Sequence, residues 1–446
     1  MTSRDMLGFR WALLSATQRA VLLSAAAFIV WFFAATSRDV ADFHGVDLRP
    51  KVLGARAMLE GKNPYTYEWT PGASDRFLDP MRRHPGPSRT SIPPTLLLLY
   101  APVAEADYGW QRSFWFGTEW LAGLAAVFAA MRLATGRAAK VWLVGIAAFG
   151  FIGNWLFRLH VERGQYYVFL ALLVALALTR IRERRDGLGT ALILGVVAAA
   201  RPTFGLIPLL LFFAGKRRLA ITAMAICLAV AVLTVSIVGV TGWMGYFSVV
   251  RYDTEIGGAG LERDFGPMIT VPQMAEGFDL RSCLTSRTGD VSFRALYGDL
   301  VDARFWHYLG PLSKTLAALS VVAGAAIADW GRRRALSLRF SLALILVATF
   351  TVDFFLAPER HSYCDVMLLS LIALLLPVWG RVRSLGPWFA IALLGLAIGA
   401  SSVEARGPLM GLWSVWLRNV GVLLGAAGTV VLALLGCAQR TPRAPG

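Results

Sequence analysis

The sequence predicts an all-α polytopic membrane protein, and three observations carry that expectation. Its 446 residues are 56% hydrophobic and only 16% charged, with a mean hydropathy of +0.57. A soluble chain carries roughly a quarter charged residues. The apolar residues come in blocks of about 17–25, the length of helix that crosses a hydrocarbon core. The 44 basic residues, set against 28 acidic ones for a net charge of +16, cluster in short stretches between the blocks: RERRD at 182–186, GKRRL at 215–219, GRRR at 331–334 and GRVR at 380–383. That is how cytoplasmic loops look under the positive-inside rule. The charge therefore reads as a topology signal, and no nucleic-acid partner is expected.

Taken in order, the first span is expected over residues 19–36. The N-terminus is basic, but the run after it is a full span without a small-residue cleavage site, so it reads as a retained helix rather than a signal peptide. A polar excursion follows at 37–91, opening with ADFHGVDLRP. Inside it Val52, Leu53, Ala57, Met58 and Leu59 fit a short helix lying on the membrane surface, stopped by Lys62-Asn63-Pro64-Tyr65. Pro, Gly, Arg and Ser dominate the rest, as in an irregular loop. PPTLLLLYAPVA is too short for a comfortable crossing and reads as re-entrant or tilted. Further spans are expected near 112–131, 141–157, 166–180 and 219–241. The stretch 188–214 is interrupted by Arg201-Pro202, which splits it into two half-helices around a polar point. Spans near 313–330, 338–357, 363–379, 385–402 and 410–436 complete about 11–13 helices in one membrane-embedded domain.

With the basic loops inside, both termini are cytoplasmic. Stretches 37–91, 158–165, 242–312, 358–362 and 403–409 then lie outside, 242–312 being the second large outer loop. Trp31, Trp142, Trp155, Trp330, Trp379 and Trp388 stand at span ends as an interfacial belt. Cys227, Cys283, Cys364 and Cys437 have neither disulfide nor metal spacing. No internal repeat is visible, which argues against a secondary transporter built from inverted halves.

Polar residues gather at five helix mouths: Asp42, His44 and Asp47; Arg158, His160, Glu162, Arg163, Gln165 and Tyr166; Arg201; Arg251 to Glu255; and Asp353 with Glu359, Arg360, His361 and Tyr363. A carboxylate suits a general base acting on a hydroxyl, and Arg suits a phosphate that is bound or leaving. An ionisable group at the membrane is costly and points to function. Each set also has a plainer reading. Asp42 can simply face water, the arginines can snorkel to headgroups, and Glu119 and Asp353 can be helix-packing contacts. No GxxxxGK[ST], GxSxG or HExxH motif is present. The acids are too dispersed for Mg²⁺, so neither metal nor cofactor is expected.

DFHGVDLRPKVLGARAMLEGKNPY resembles the opening of glycosyltransferase family 87, with an acid after the first helix, an Ala-rich helix and a G-x-x-P-Y ending. SIPPTLLLLYAPVA is similar to that family's PP-x-x-x-L-L-x-x-P segment, ERGQYYVFLALLVALAL to its GQ helix start, and AAARPTFGLIPLLLFFAGKRR to its K-P helix and basic loop. ERHSYCDVMLL resembles a late His-containing segment. Arg201 stands where the family more often has Lys, and His361 stands alone where a pair is common.

The resemblance implies a C-type glycosyltransferase fold with its active site on the outer face of a bacterial cytoplasmic membrane. It also implies a polyprenyl-phosphate sugar as donor, as in the mycobacterial mannosyltransferases that build phosphatidylinositol mannosides. The acceptor would be a glycolipid or polysaccharide. Asp42 matches the catalytic base by position. His44, Asp47, Arg163, Gln165, Arg201, Arg360 and His361 are the substrate-binding candidates, with Arg201 and Arg360 on the leaving phosphate. A lipid-linked-sugar flippase, and a polymerase or ligase of lipid-linked glycans, are the alternative readings.

Overall fold

The computed structural model describes residues 13–43, 45, 47–67, 72, 74–77, 90–153, 155–256, 306–334, 336–356 and 362–379. Among them every regular element is helical. Helix α1 (Ala16–Arg38) begins at a capping box: Ser15 and Gln18 each bond the other's backbone N–H through their side chains, which satisfies two of the helix's orphan donors. Leu23, Val30 and Trp31 on its flank are exposed, as lipid-facing residues are. A single 3₁₀ turn, Val40–Asp42, carries the chain off its end.

Helix α2 (Leu48–Leu59) is where the expected surface helix stands, but it does not lie flat on the membrane. Leu48, Lys51, Val52, Leu53, Ala55, Ala57 and Met58 are all buried, and the helix packs on α3 (Pro94–Tyr100) inside the bundle. Arg49, Pro50 and Arg56 stay half-buried and Leu59 exposed, so only part of its circumference reaches the outside. Gly164, with φ +65°, makes this docking possible: a Cβ there would sit 2.6 Å from that of Leu48. Arg76 pairs with both Glu60 and Glu105, and Arg56 donates to the Ala104 carbonyl, so the described part of the excursion is tied down at both edges.

Helix α3 has seven residues and ends in a 3₁₀ turn, Ala101–Val103, so the short segment does not cross. Helix α4 (Tyr108–Leu133) is a full span, capped by Asp107 on the N–H groups of Gly109 and Trp110. The span expected at 141–157 is instead broken. Helix α5 (Arg137–Ala147) runs into a π turn at Ala148–Ile152, and α6 (Trp155–Arg163) leaves at about 51° to it. The loop expected at 158–165 is thus helical up to Arg163, and only residues 164–166 turn before α7 (Tyr167–Arg182).

Helix α8 (Leu188–Ala200) and α9 (Leu206–Phe213) are the two half-helices, joined through extended Arg201 and a 3₁₀ turn. Both open ends lie together, because Lys216 pairs with Asp186. The segment is a re-entrant hairpin rather than a crossing. Thirteen residues rise about 20 Å, so Arg201 stands about that far along the bundle from the basic end where α8 begins. Helix α10 (Arg217–Ile256) breaks at Gly239, φ +70°, and continues. The loop expected to begin at residue 242 is therefore helical to Ile256.

Helices α11 (Trp306–Arg333) and α12 (Leu338–Leu356) form the next pair, and a 3₁₀ segment, Ser362–Leu368, leads into α13 (Leu369–Trp379). Among the described residues four helices are long and apolar enough to cross a membrane, or up to five if the bent pair counts as one span. The spans expected at 385–402 and 410–436 lie outside the described residues, as do all of 257–305 and the cysteines Cys283 and Cys437.

The ends of the bundle differ in chemistry. Glu183 pairs with Arg132, Asp186 with Lys216, and Arg137 reaches the Leu13 carbonyl, so the basic stretches meet at one end. Among the described residues Asp47 with Arg163, and Asp353 with Arg201, meet toward the other. If the basic end is cytoplasmic, Gly331→Cys should resist impermeant thiol reagents applied to intact cells while native Cys283 is labelled. The reverse pattern would overturn the orientation. A Cβ at Gly331 meets only the flexible end of Leu336, so the substitution is accommodated.

Candidate active site

Three groups of residues make up the candidate site, and the second and third of them meet at the start of α7. The first is the turn after α1. Arg112 on α4 donates to the carbonyls of Ala41 and Phe43 at 2.7 and 2.9 Å, and Arg158 on α6 pairs with Asp39 at 2.8 Å. These clamps fix the backbone on both sides of Asp42. The Asp42 side chain is exposed and makes no hydrogen bond or ion pair with the described residues. His44 lies outside them.

The second group joins α2 to the turn between α6 and α7. Gln165 donates through Nε2 to Asp47 Oδ2, and Arg163 Nη1 approaches the same oxygen at 3.5 Å. Lys51 donates to Gln165 Oε1 at 2.9 Å and to the Gly164 carbonyl at 3.3 Å. The structure thus brings together three sequence candidates, Asp47, Arg163 and Gln165, and adds Lys51. Burial pushes the Lys51 ammonium down to about 8, against the opposing pull of Asp47, so it remains charged at neutral pH.

The third group holds Arg201. Its Nε and Nη2 pair with the two oxygens of Asp353 at 2.8 and 3.0 Å, and Thr203 Oγ1 donates to Asp353 Oδ1 at 2.7 Å. Nη1 faces the hydroxyls of Tyr167 and Tyr166 at 3.0 and 3.4 Å. Arg201 is 12% exposed and Asp353 not at all. This is how an apolar run tolerates a cation: a bidentate carboxylate balances most of the charge. The edge that Asp353 does not take donates to the two tyrosine hydroxyls. Tyr166 and Tyr167 stack at 4.4 Å and connect this group to Gln165 through the chain itself.

Behind these groups Glu119 and His160 meet inside the bundle, Oε2 to Nδ1 at 3.4 Å, both fully buried. Nε2 of His160 accepts from the Val168 N–H, so in the neutral ring the proton sits on Nδ1, facing the carboxylate. Glu119 thus touches a partner that its own span did not announce. Arg360 and His361 lie outside the described residues.

Sequence reasoning missed Lys51 and treated Asp353 mainly as packing. The signal for Lys51 was available: the helix's one lysine, four residues after an acid, within reach of that acid's side of the helix. For Asp353 no local signal existed, since its partner is 152 residues away.

The family model for glycosyltransferase family 87 matches residues 92–358. That stretch contains Arg163, Gln165, Arg201 and Asp353 but not Asp42, Asp47 or Lys51. No curated protein and no solved structure matches the chain. A match over more than half of the chain, on a helical membrane bundle with carboxylates and arginines gathered toward one end, places it: the chain belongs to glycosyltransferase family 87 and is a membrane glycosyltransferase.

Proposed function

We propose that the protein transfers a hexose or pentose, mannose-like in the first instance, from a polyprenyl-phosphate sugar to a glycolipid or polysaccharide hydroxyl, with inversion. The observation that supports this reading is the meeting near the start of α7 of two ion-paired carboxylates, Asp47 and Asp353, with Arg163 and Arg201, at the end of the bundle opposite the described basic loops. Asp42 takes the proton of the acceptor hydroxyl as its oxygen attacks the anomeric carbon. The bond from that carbon to the phosphate oxygen breaks, and polyprenyl phosphate leaves with the electron pair. The Arg201 edge that donates to the Tyr166 and Tyr167 hydroxyls turns to the departing charge. The family resemblance adds Arg360 and His361 to the donor and His44 to the neighbourhood of the base. The outer face of a bacterial cytoplasmic membrane is the location this chemistry implies.

Purified protein should release polyprenyl phosphate from polyprenyl-phosphate mannose, or from its glucose or pentose counterpart, when a glycolipid acceptor is added. GDP-mannose should not replace it. Consumption of the nucleotide sugar alone, or movement of intact lipid-linked sugar across proteoliposomes without cleavage, would overturn the reading.

A further inference from the structure

Lys51 is 5% exposed, an expensive place for an ammonium, and the reaction just described does not use it. Its surroundings are specific. Besides Gln165 Oε1 and the Gly164 carbonyl, it faces the rings of Tyr100 and Tyr166 at 5.8 and 5.7 Å. An ammonium only donates. Gln165 must therefore turn its carbonyl oxygen toward Lys51, and its amide nitrogen is committed to the opposite side, where it meets Asp47 Oδ2. Arg163 approaches that same oxygen. Both protein contacts of Asp47 fall on Oδ2, and Oδ1 accepts no bond among the described residues. The side chain is 29% exposed.

The result is a carboxylate held by one oxygen with the other left open, on the same chain segment as Asp42. Such a group accepts a hydroxyl hydrogen bond without first losing rotamer freedom, and a sugar offers several hydroxyls in fixed relation. We propose that Lys51 is a positioning residue: by fixing the amide of Gln165 it presents Asp47 Oδ1 to a hydroxyl of the lipid-linked sugar. The assignment rests on the glycosyl-transfer reading. A bond present in both ground and transition state acts mainly on KM, so this role differs from that of a general base.

The test uses the full chain in detergent with the polyprenyl-phosphate sugar that wild type turns over best. Lys51→Met should unfold at close to the wild-type temperature, because Met fills the same length and removes a buried charge. It should lose about 10- to 100-fold in kcat/KM, mostly through KM, as expected for a hydrogen bond to a charged group. Gln165→Met should do the same, and the double variant should lose no more than the worse single one. Multiplying losses would show that Lys51 acts independently of Gln165 and overturn the assignment, as would a wild-type KM in Lys51→Met. If Lys51→Met does not fold, Gln165→Glu serves instead. It keeps a partner for Lys51 but sets a second carboxylate against Asp47, so an unchanged KM would equally overturn the proposal. A wild-type protein that turns over no polyprenyl-phosphate sugar removes the functional reading itself, and the assignment falls with it.

Discussion

Asp42→Asn is expected to express, fold and bind the lipid-linked sugar as wild type does, yet to lose about 10²- to 10⁴-fold in kcat, the usual contribution of a general base. The structure makes this a clean substitution. The Asp42 turn is held through backbone carbonyls by Arg112 and through Asp39 by Arg158, so the turn does not depend on the Asp42 side chain. Among the described residues that exposed carboxylate has no partner to lose. Asn keeps the size and an acceptor oxygen but cannot take the proton. Asp47 contrasts with it, because one of its oxygens is already engaged by Gln165 and Arg163. Asp47→Asn should be milder and show itself in KM. In a donor-consumption assay, near-normal turnover by Asp42→Asn with loss in Asp47→Asn would move the base five residues along. Activity in both would remove the catalytic role of this segment.

Arg201→Ala is expected to cost about 3–5 kcal/mol of stability, because it strands a fully buried carboxylate. Asp353 would lose both guanidinium bonds and keep the Thr203 hydroxyl. The same change should abolish donor phosphate binding, and the two effects must be separated. The double variant Arg201→Met with Asp353→Leu removes both charges and should regain most of the lost stability, as apolar replacement of buried ion pairs does, while donor binding stays lost. Arg201→Lys should retain part of that binding, since a point charge still reaches a phosphate, but it forfeits the two-pronged contact with Asp353. Wild-type donor affinity in the charge-free double variant, with its unfolding temperature restored, would show that Arg201 serves only to pair helices α8 and α12.

These two experiments mark the division between what the chain announces locally and what it does not. Asp42 was legible because a carboxylate directly after a first span is conspicuous against apolar neighbours. Arg201 was legible for a related reason: a charge and a proline cannot sit inside an apolar helix without breaking it. The partner of Arg201 was not legible, because Asp353 belongs to another helix and only packing brings their side chains together. Lys51 was hidden by the opposite effect. It sits in a segment whose weak amphipathicity read as a membrane-surface helix, although that segment is buried on nearly all sides.

Membrane residence, the long spans, the break at Arg201 and the short α3 follow from the sequence alone, because each depends on local composition: apolar length against the bilayer, proline against helix continuity, basic clusters against translocation. The tertiary structure alone decided that α2 enters the bundle, that α8 and α9 return to the end they came from, and that Lys51, Gln165 and Asp47 form one directed chain. Those outcomes depend on contacts between separate elements, from Asp186 with Lys216, 30 residues apart, to Thr95 with Ala199 and Lys51 with Gln165, 104 and 114 apart. Residue type and spacing along the chain say nothing about which distant helix will supply the missing partner for a buried donor or acceptor.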